Sequence, residues 1–361
     1  RRPRRRGRRR ASSSVMSRGP MSDAPRTDAL SALLATHDWL LADGATGTTL
    51  FNMGLQSGDA PELWNVDHPD RITTLYSGAV EAGSDLFLTN SFGGNASRLK
   101  LHDAQNRVGE LNRAAAEIGR EVADRAGRPV VVAGSVGPTG EIMEPMGSLT
   151  HALAVEMFHE QAVALKEGGA DVLWLETISA PEEYKAAAEA FAMADMPWCG
   201  TMSFDTAGRT MMGLTSSDFV RLVGKLPNPP LGFGANCGTG ASDLMRTVLG
   251  FAAAGPEIPV IAKGNAGIPK YVDGHIHYDG TPELMADYAA MARDAGARII
   301  GGCCGTTPDH LRAMKEALET RPKAPAPSLD EIVAALGGFS SAEDGTGEGG
   351  PKRERRGRRR G

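Results

Sequence analysis

The stretch Ala297-Arg298-Ile299-Ile300-Gly301-Gly302-Cys303-Cys304-Gly305-Thr306 is the most informative part of the sequence. A short apolar run predicts a strand, and it ends abruptly in glycines and two adjacent cysteines. Adjacent cysteines pair badly with each other, because the disulfide ring they would close is strained. Glycines on both sides allow unusual backbone conformations and close approach of other segments. The stretch therefore indicates a buried strand whose carboxyl end carries chemically reactive thiols.

Seven other short apolar runs share this character, and longer amphipathic stretches separate them. The eight predicted strands are Trp39–Ala42, Asp85–Thr89, Val130–Ala133, Val172–Leu175, Trp198–Phe204, Leu231–Ala235, Val260–Ala262 and Arg298–Gly301. Apolar spacing and capping residues predict helices at Val155–Glu167, Pro181–Met193 (capped by Ser179), Leu244–Ala254, Pro282–Ala295 and Pro308–Leu318. Eight strands alternating with helices match a (β/α)8 TIM barrel, which typically takes about 250 residues.

Glycine and polar residues follow nearly every predicted strand. In a barrel, the carboxyl ends of all strands share one mouth, so residues far apart in sequence converge there. A doubly wound sheet is the alternative, but an open sheet would scatter these residues along its edge. The pattern therefore favours the barrel, an α/β fold.

The composition sets limits on the class of protein. The chain has 361 residues, of which 41% are hydrophobic, so it can bury a large core. Its 4 cysteines are too few for a disulfide framework, and they fit a reducing cytoplasm in which thiols are used for chemistry. No apolar run approaches the roughly 20 residues needed to span a bilayer, and no signal peptide is recognisable. We expect a cytoplasmic protein without membrane contact.

The formal net charge of -5 is unevenly distributed. Residues 1–26 carry +9 and residues 351–361 carry +6, which leaves -20 for the body between them. The Arg/Gly-rich ends cannot form a core, so we predict disordered basic tails. They lack aromatic residues for base stacking, which argues against nucleic-acid binding. Met16 or Met21 is a candidate for the true start of translation.

Four regions are therefore predicted along the chain. Residues 1–26 form a disordered Arg-rich tail, and residues 27–321 form the barrel. Residues 322–340 form a Pro-rich linker and a short helix, Leu329–Leu336, and residues 341–361 form a disordered Gly/Arg-rich tail.

Three of the cysteines can meet at the barrel mouth. Cys237 follows the sixth predicted strand, whereas Cys303 and Cys304 follow the eighth. Three thiolates with an open fourth position are typical of catalytic zinc. Cys199 lies within a strand and is interpreted as an inert buried thiol, and His310 is expected to point away. Three buried thiols without a metal are the alternative, but that reading leaves the flanking glycines unexplained.

The strand-end residues, taken in order, resemble the homocysteine S-methyltransferase family over about residues 36–320. The motifs that carry the resemblance are Asp43-Gly44-Ala45-Thr46-Gly47-Thr48, Thr89-Asn90-Ser91-Phe92, Gly134-Ser135-Val136-Gly137-Pro138, Leu175-Glu176-Thr177, Asn236-Cys237, Asn265-Ala266-Gly267 and Gly302-Cys303-Cys304-Gly305-Thr306. Each motif alone is weak, but the ordered set is specific.

The resemblance implies one zinc ion per chain, held by Cys237, Cys303 and Cys304, which binds and deprotonates L-homocysteine so that its sulfur attacks a methyl group and forms methionine. It assigns the amino-acid clamp to Asp43, Gly44 and Glu176. A carboxylate there can pair with the substrate ammonium. Thr89 is a further predicted substrate-binding residue, and Glu176 is also counted with the three cysteines as catalytic. For the displaceable fourth metal ligand, the resemblance points to Asn265. A turn role for Asn265, a cap role for Asp43 and a buried-partner role for Glu176 remain the structural alternatives.

The methyl donor is left open by the sequence. A betaine-like donor would need an aromatic cage, and Trp64, Phe92 and Tyr271 are the candidates, although Gly93 stands where animal betaine enzymes have an aromatic residue. A split cobalamin-dependent methionine synthase, which receives its methyl group from a separate corrinoid protein, is equally compatible with the sequence.

Two rival classes of protein are left open. One is a non-catalytic zinc-stabilised barrel that binds another protein, and the other is a nucleic-acid-binding protein that acts through its tails. The oligomeric state is not determined. The segment 273–278, with His275 and His277, is predicted to be a surface loop.

Overall fold

Eight parallel strands form the centre of the fold in the computed structural model, which describes residues 29–272 and 275–343. They are β1 (Leu40–Leu41), β2 (Leu86–Leu88), β3 (Val131–Val136), β4 (Val172–Ile178), β5 (Trp198–Met202), β6 (Gly232–Cys237), β7 (Val260–Gly264) and β10 (Ala297–Gly302). Their order, β1-β10-β7-β6-β5-β4-β3-β2, follows the chain around a ring. This order confirms the predicted (β/α)8 barrel and excludes the doubly wound sheet.

Two carboxylates help to close the ring between β1 and β2. Asp85 donates its backbone N–H to Leu41 O at 2.7 Å, and its carboxylate accepts the Leu41 N–H at 2.8 Å. The Asp43 carboxylate accepts the Leu88 N–H at 2.9 Å. In a regular sheet, backbone carbonyls would accept these hydrogen bonds. Here carboxylates accept them instead, and they satisfy the buried N–H groups at the seam, the junction between β1 and β2.

Alternation along the strands divides the core into two layers. On β4, Val172 and Trp174 point into the barrel, whereas Leu173 and Leu175 pack outward against helices. Leu30 of the first helix packs with the interior cluster near the beginnings of the strands. The opposite end, where the strands finish, is left for polar side chains.

Helices surround the barrel. They are α1 (Ala29–Thr36), α2 (Gly47–Asn52), α3 (Trp64–Asp67), α4 (Pro69–Glu81), α5 (Ala96–Leu99), α6 (Val108–Asp124), α7 (His151–Glu167), α8 (Pro181–Met193), α9 (Ser216–Val223), α10 (Ala241–Ala253), α11 (Pro282–Asp294), α12 (Pro308–Thr320) and α13 (Leu329–Leu336). Among the described residues, no helix combines the length and apolarity needed to cross a bilayer.

The sequence analysis predicted the positions of the helices more accurately than the residues at which they begin. Helix α8 has the predicted bounds, but its N-cap is Ala180 rather than Ser179. Helix α7 begins earlier than predicted, where the Thr150 hydroxyl accepts the Leu153 N–H. Helix α13 has the predicted bounds and buries Ile332 and Leu336.

Two predictions need correction or lie outside the described residues. The segment 273–278 was predicted to be a surface loop, but β8 (Lys270–Val272) and β9 (His275–His277) pair antiparallel there. The predicted tail 1–26 and all but residues 341–343 of the predicted tail 341–361 lie outside the described part of the chain.

Candidate active site

A cavity of about 380 Å³ opens at the carboxyl ends of the strands. Seven of the eight residues predicted for the site line it, and they come from β1, β2, β4, β6 and β10 or the turns that follow these strands. They are Asp43, Gly44, Thr89, Glu176, Cys237, Cys303 and Cys304. The barrel therefore brings together residues that are up to 261 positions apart in the sequence.

The three cysteines form a compact thiol cluster. Their Sγ atoms all lie within 4.8 Å of one another, and those of Cys237 and Cys304 are 3.9 Å apart. Two backbone groups fix the pair after β10, because Cys303 N–H donates to Gly264 O at 2.7 Å and Cys304 N–H donates to the Asn265 side chain at 3.1 Å. Cys237 has a φ of +61°, a conformation that turns its side chain off the end of β6.

Glycines beside the thiol cluster are required by close packing. A Cβ on Gly302 would lie 2.3 Å from Thr306 Oγ1. Gly305 has a φ of +79°, and a Cβ there would lie 2.4 Å from Tyr278. The glycine-bracketed pair therefore has a steric explanation, as the sequence indicated.

The three sulfurs share protons unequally. Hydrogen bonds from Cys237 and Cys303 lower the pKa of Cys304 to about 3. Hydrogen bonding to Cys303 and Cys304 raises the pKa of Cys237. One sulfur is thus held as a thiolate at neutral pH, which is the form that binds a metal.

A buried ion pair, absent from the predicted site, lies behind the cavity wall. Lys263 Nζ donates to Asp43 Oδ1 at 2.6 Å, and both side chains are almost fully buried. Burial acts to lower the pKa of Lys263, but the carboxylates of Asp43 and Glu176 raise it overall. A lysine inside the otherwise apolar run Val260–Gly264 was the signal in the sequence, since a buried amine needs a partner.

Glu176 is the acid that faces the cavity next to the thiols. Burial raises its pKa to about 7, against the opposing effect of Lys263. The Ser135 hydroxyl donates to its carboxylate at 2.5 Å. Thr89 holds Ser135 in turn, because its hydroxyl accepts the Ser135 N–H at 3.0 Å. The carboxylate is therefore oriented, and it is available to a cationic group in the cavity.

Gly44 lies where the chain leaves β1. A Cβ on Gly44 would come within 2.7 Å of Thr306 Oγ1, so the backbone there must be bare. Asp43, by contrast, has both carboxylate oxygens engaged, one by Lys263 and the other by the Leu88 N–H. The role of Asp43 in substrate binding stays a prediction.

Asn265, the eighth predicted residue, is buried beside the cluster with both amide atoms bonded to backbone. Its oxygen accepts the Cys304 N–H, and its NH₂ donates to Gly238 O at 2.9 Å. These bonds hold the turns that carry the cysteines. Its role as a displaceable ligand stays a prediction.

The other two candidate ligands lie apart from the cluster. Cys199 is fully buried in the barrel interior, as predicted. His310 Nδ1 accepts the Thr307 N–H at 3.1 Å, and Nε2 bonds Gly280 O at 2.8 Å, so both ring nitrogens are occupied. Among residues 29–272 and 275–343, the three cysteines are the one set of His, Cys, Asp and Glu side chains close enough to hold a metal.

Tyr278 is a site residue that the sequence analysis missed. It follows β9, is half-buried against Gly305 and helps to lower the pKa of Cys304. The signal was present in the dipeptide Asp273-Gly274, which is typical of hairpin turns and would have folded the segment back over the mouth.

The outer part of the cavity has a different character. Glu62, Phe92, Arg98 and His102 line it, and the buried Glu62 carboxylate accepts the Gly93 N–H at 2.6 Å. A Cβ at Gly93 would lie 3.0 Å from Glu62, so this acid occupies the space that an aromatic residue would need. Of the predicted cage aromatics, Phe92 lines the cavity, Trp64 is buried under Arg71, and the Tyr271 side chain lies outside the described part of the structure.

One family model, two curated proteins and a solved structure are similar to this chain. The model of the family described as homocysteine S-methyltransferase matches residues 40–318. Methionine synthase of Mycobacterium tuberculosis is 30% identical over 321 residues, which cover 82% of this chain and 26% of that protein. Methionine synthase of Mycobacterium leprae is 31% identical over 298 residues, covering 77% and 24%. The chain thus spans about a quarter of the length of these relatives.

A solved structure is similar over nearly its whole length. The metallated form of the homocysteine methyltransferase MmuM from Escherichia coli has a TM-score of 0.66 and 26% identity. The match covers 80% of this chain and 99% of that one.

We predict that Lys263→Met lowers the free energy of unfolding at pH 7 by about 3 kcal/mol, because it leaves Asp43 buried without its partner. Lys270→Met is the matched control, since it breaks an exposed ion pair with Asp279 and should cost less than about 1 kcal/mol. Urea denaturation measures both. Equal losses in the two variants would contradict the importance of the buried pair.

We predict that Glu176→Gln stabilises the metal-free protein at pH 8 by about 3 kcal/mol and changes little at pH 4. The pKa of Glu176 is about 7 in the folded protein, whereas an unfolded glutamate titrates near 4.3. The native state therefore binds more protons between these values, and stability falls as the pH rises through them. Urea denaturation at both pH values tests this, with the exposed Glu316→Gln as a control expected to show no such difference. A benefit that is the same at pH 4 and pH 8 would refute the shifted pKa.

Proposed function

We propose a function on the premise that the chain belongs to the homocysteine S-methyltransferase family, whose model matches residues 40–318. The proposed reaction is transfer of a methyl group to the sulfur of L-homocysteine, forming methionine. The observation that carries it is the cluster of three thiols that opens on the same cavity as the oriented Glu176 carboxylate.

Zinc is the metal that these residues fit best. Tetrahedral zinc with sulfur ligands at about 2.3 Å requires sulfurs about 3.8 Å apart. The Cys237–Cys304 distance of 3.9 Å agrees with this spacing. Three protein thiolates leave one position for a substrate, which is typical of catalytic rather than structural zinc. When bound, zinc would lower the pKa of a substrate thiol so that the sulfur is nucleophilic near neutral pH.

The protein residues would then select and orient the amino acid. Cys237, Cys303 and Cys304 would hold the metal in the cavity wall, and Glu176, which lies next to them, would pair with the ammonium group of homocysteine. Ser135 keeps the carboxylate pointed inward. We also assign Asp43, Gly44 and Thr89 to the binding wall, with Asp43 acting from its ion pair with Lys263.

A betaine-like donor is our first proposal for the methyl source. The homocysteine sulfur attacks the methyl carbon, the C–N bond breaks with its electron pair going to nitrogen, and the thiol proton leaves to solvent. Glu62 and Phe92 line the outer cavity and can attract an onium group. The Arg98 guanidinium is a cationic partner for the carboxylate of such a donor, and His102 lines the same part of the cavity.

Methylcobalamin on a separate corrinoid protein is the second candidate. It is favoured by the methionine synthase relatives, of which this chain spans about a quarter. In that case the methyl group would pass to the homocysteine sulfur, the electron pair of the broken Co–C bond would stay on the corrinoid, and the thiol proton would leave to solvent. The zinc-loaded protein should be assayed with homocysteine and each donor in turn. One zinc with no methionine from any donor would instead favour the rival class, a non-catalytic zinc-stabilised barrel.

We predict that Cys304→Ala reduces zinc content from one per chain to well below half and reduces methionine formation to background, because two thiolates remain. Metal analysis and a methionine assay check this. Cys199→Ala is the matched control, since Cys199 is buried away from the cluster and should retain metal and activity. Full zinc content in the Cys304 variant would contradict the ligand set.

A further inference from the structure

Asn236 occupies a buried position between the two halves of the proposed site. It is the penultimate residue of β6, directly before Cys237, and its side chain is fully buried at the barrel mouth. Four side-chain bonds connect it to three neighbours: Thr177, Thr201 and Cys303. Such a fully bonded amide is an organising element rather than a loose polar group.

The orientation of this amide is fixed by a backbone donor. Thr177 donates its N–H to Asn236 Oδ1 at 2.9 Å, and the Thr201 hydroxyl donates to the same oxygen at 2.7 Å. The NH₂ group must therefore face the other way. It donates to Thr177 Oγ1 at 2.8 Å and points at Cys303 Sγ, 3.8 Å away.

At one end, Asn236 stabilises a strained turn. Thr177 has a φ of +61°, which is costly for a β-branched residue. The register of β4 against β5 shifts between Leu175 and Ile178, so this residue forms an irregularity in the strand. Glu176 lies inside that irregularity, and the two bonds between Asn236 and Thr177 therefore fix the position of the carboxylate.

At the other end, Asn236 contacts the thiol cluster. An amide N–H directed at a sulfur restrains the position of the Cys303 side chain. The Asn236 side chain thus contacts both Cys303, a predicted metal ligand, and Thr177, which follows Glu176 in the chain.

We propose that Asn236 is a positioning residue that sets the spacing between the metal-binding sulfurs and Glu176. This inference rests on the proposed function. A substrate that binds through sulfur at one end and through ammonium at the other must match that spacing. Asn236 would then determine selectivity for an amino-acid thiol of the length of homocysteine over a thiol that lacks the amino group.

The test compares two ligands in zinc-loaded protein by calorimetry: L-homocysteine and 4-sulfanylbutanoate, which has the same chain without the amino group. In Asn236→Ala the dissociation constant for homocysteine should rise about 10- to 100-fold. That for 4-sulfanylbutanoate should change less than about threefold, with zinc content still one per chain. Asn236→Asp, which keeps the accepting oxygen and loses both donors, should also reduce the preference, and it serves if the Ala variant does not fold.

Thr201→Val is the matched control. It removes one bond to Asn236 and leaves the contacts with Thr177 and Cys303, so the preference for homocysteine should stay within about twofold of the wild type. Equal weakening of both ligands, loss of zinc, or an unchanged preference in the Asn236 variants would overturn the proposal. So would an equal loss in Thr201→Val. A wild-type protein that shows no preference for homocysteine would instead refute the proposed function itself.

Discussion

Closure of the barrel between β1 and β2 is the constraint on which the site depends. β1 is only two residues long, Leu40–Leu41, and its neighbours β10 and β2 must both be held by it. Two carboxylates add hydrogen bonds across this junction: Asp85 accepts the Leu41 N–H, and Asp43 accepts the Leu88 N–H. Because Asp43 also bonds Lys263 on β7, one carboxylate joins the seam to the interior of the mouth. The residues that close the ring are thus continuous with those that line the cavity.

The charges at the mouth compensate one another in a defined order. Lys263 is the buried cation shared by Asp43, which it contacts, and by Glu176, which it influences through space. Three sulfurs on the other side add further negative charge when ionised. A buried site of this composition is stable only if protons, a cation or a metal supply positive charge. The lowered pKa of Cys304 and the raised pKa of Glu176 reflect this crowding of acidic groups.

The sequence predicted the barrel because its signals are local. Each of the eight strands is a short apolar run, and every prediction overlaps the strand observed. The thiol cluster was also predictable, since cysteines at strand ends must converge once the ring closes. The partners of buried polar groups were not, because they depend on contacts such as Lys263–Asp43 that span 220 positions. The same limit applies to Asn265, whose amide bonds hold the turns that carry Cys237 and Cys304. Tyr278 was missed for another reason, since the hairpin before it was interpreted as a loop.

Two of the five non-glycine residues with a positive φ in the described part of the chain lie where the chemistry is proposed. Thr177 and Cys237 both have a φ of +61°, and each lies at or near the carboxyl end of its strand, flanking the cavity. Such conformations cost on the order of 1–3 kcal/mol each, so they persist only where surrounding contacts impose them. Asn236 lies directly before Cys237 and binds Thr177 through two bonds, so it is linked to both strained residues. Burial of the apolar barrel core beneath Asn236 offsets the free-energy cost of these strained conformations. The rigid core therefore supports the strained strand ends. The Asn236 amide lies where the two meet, and we infer that it sets the distance between the metal-binding sulfurs and Glu176.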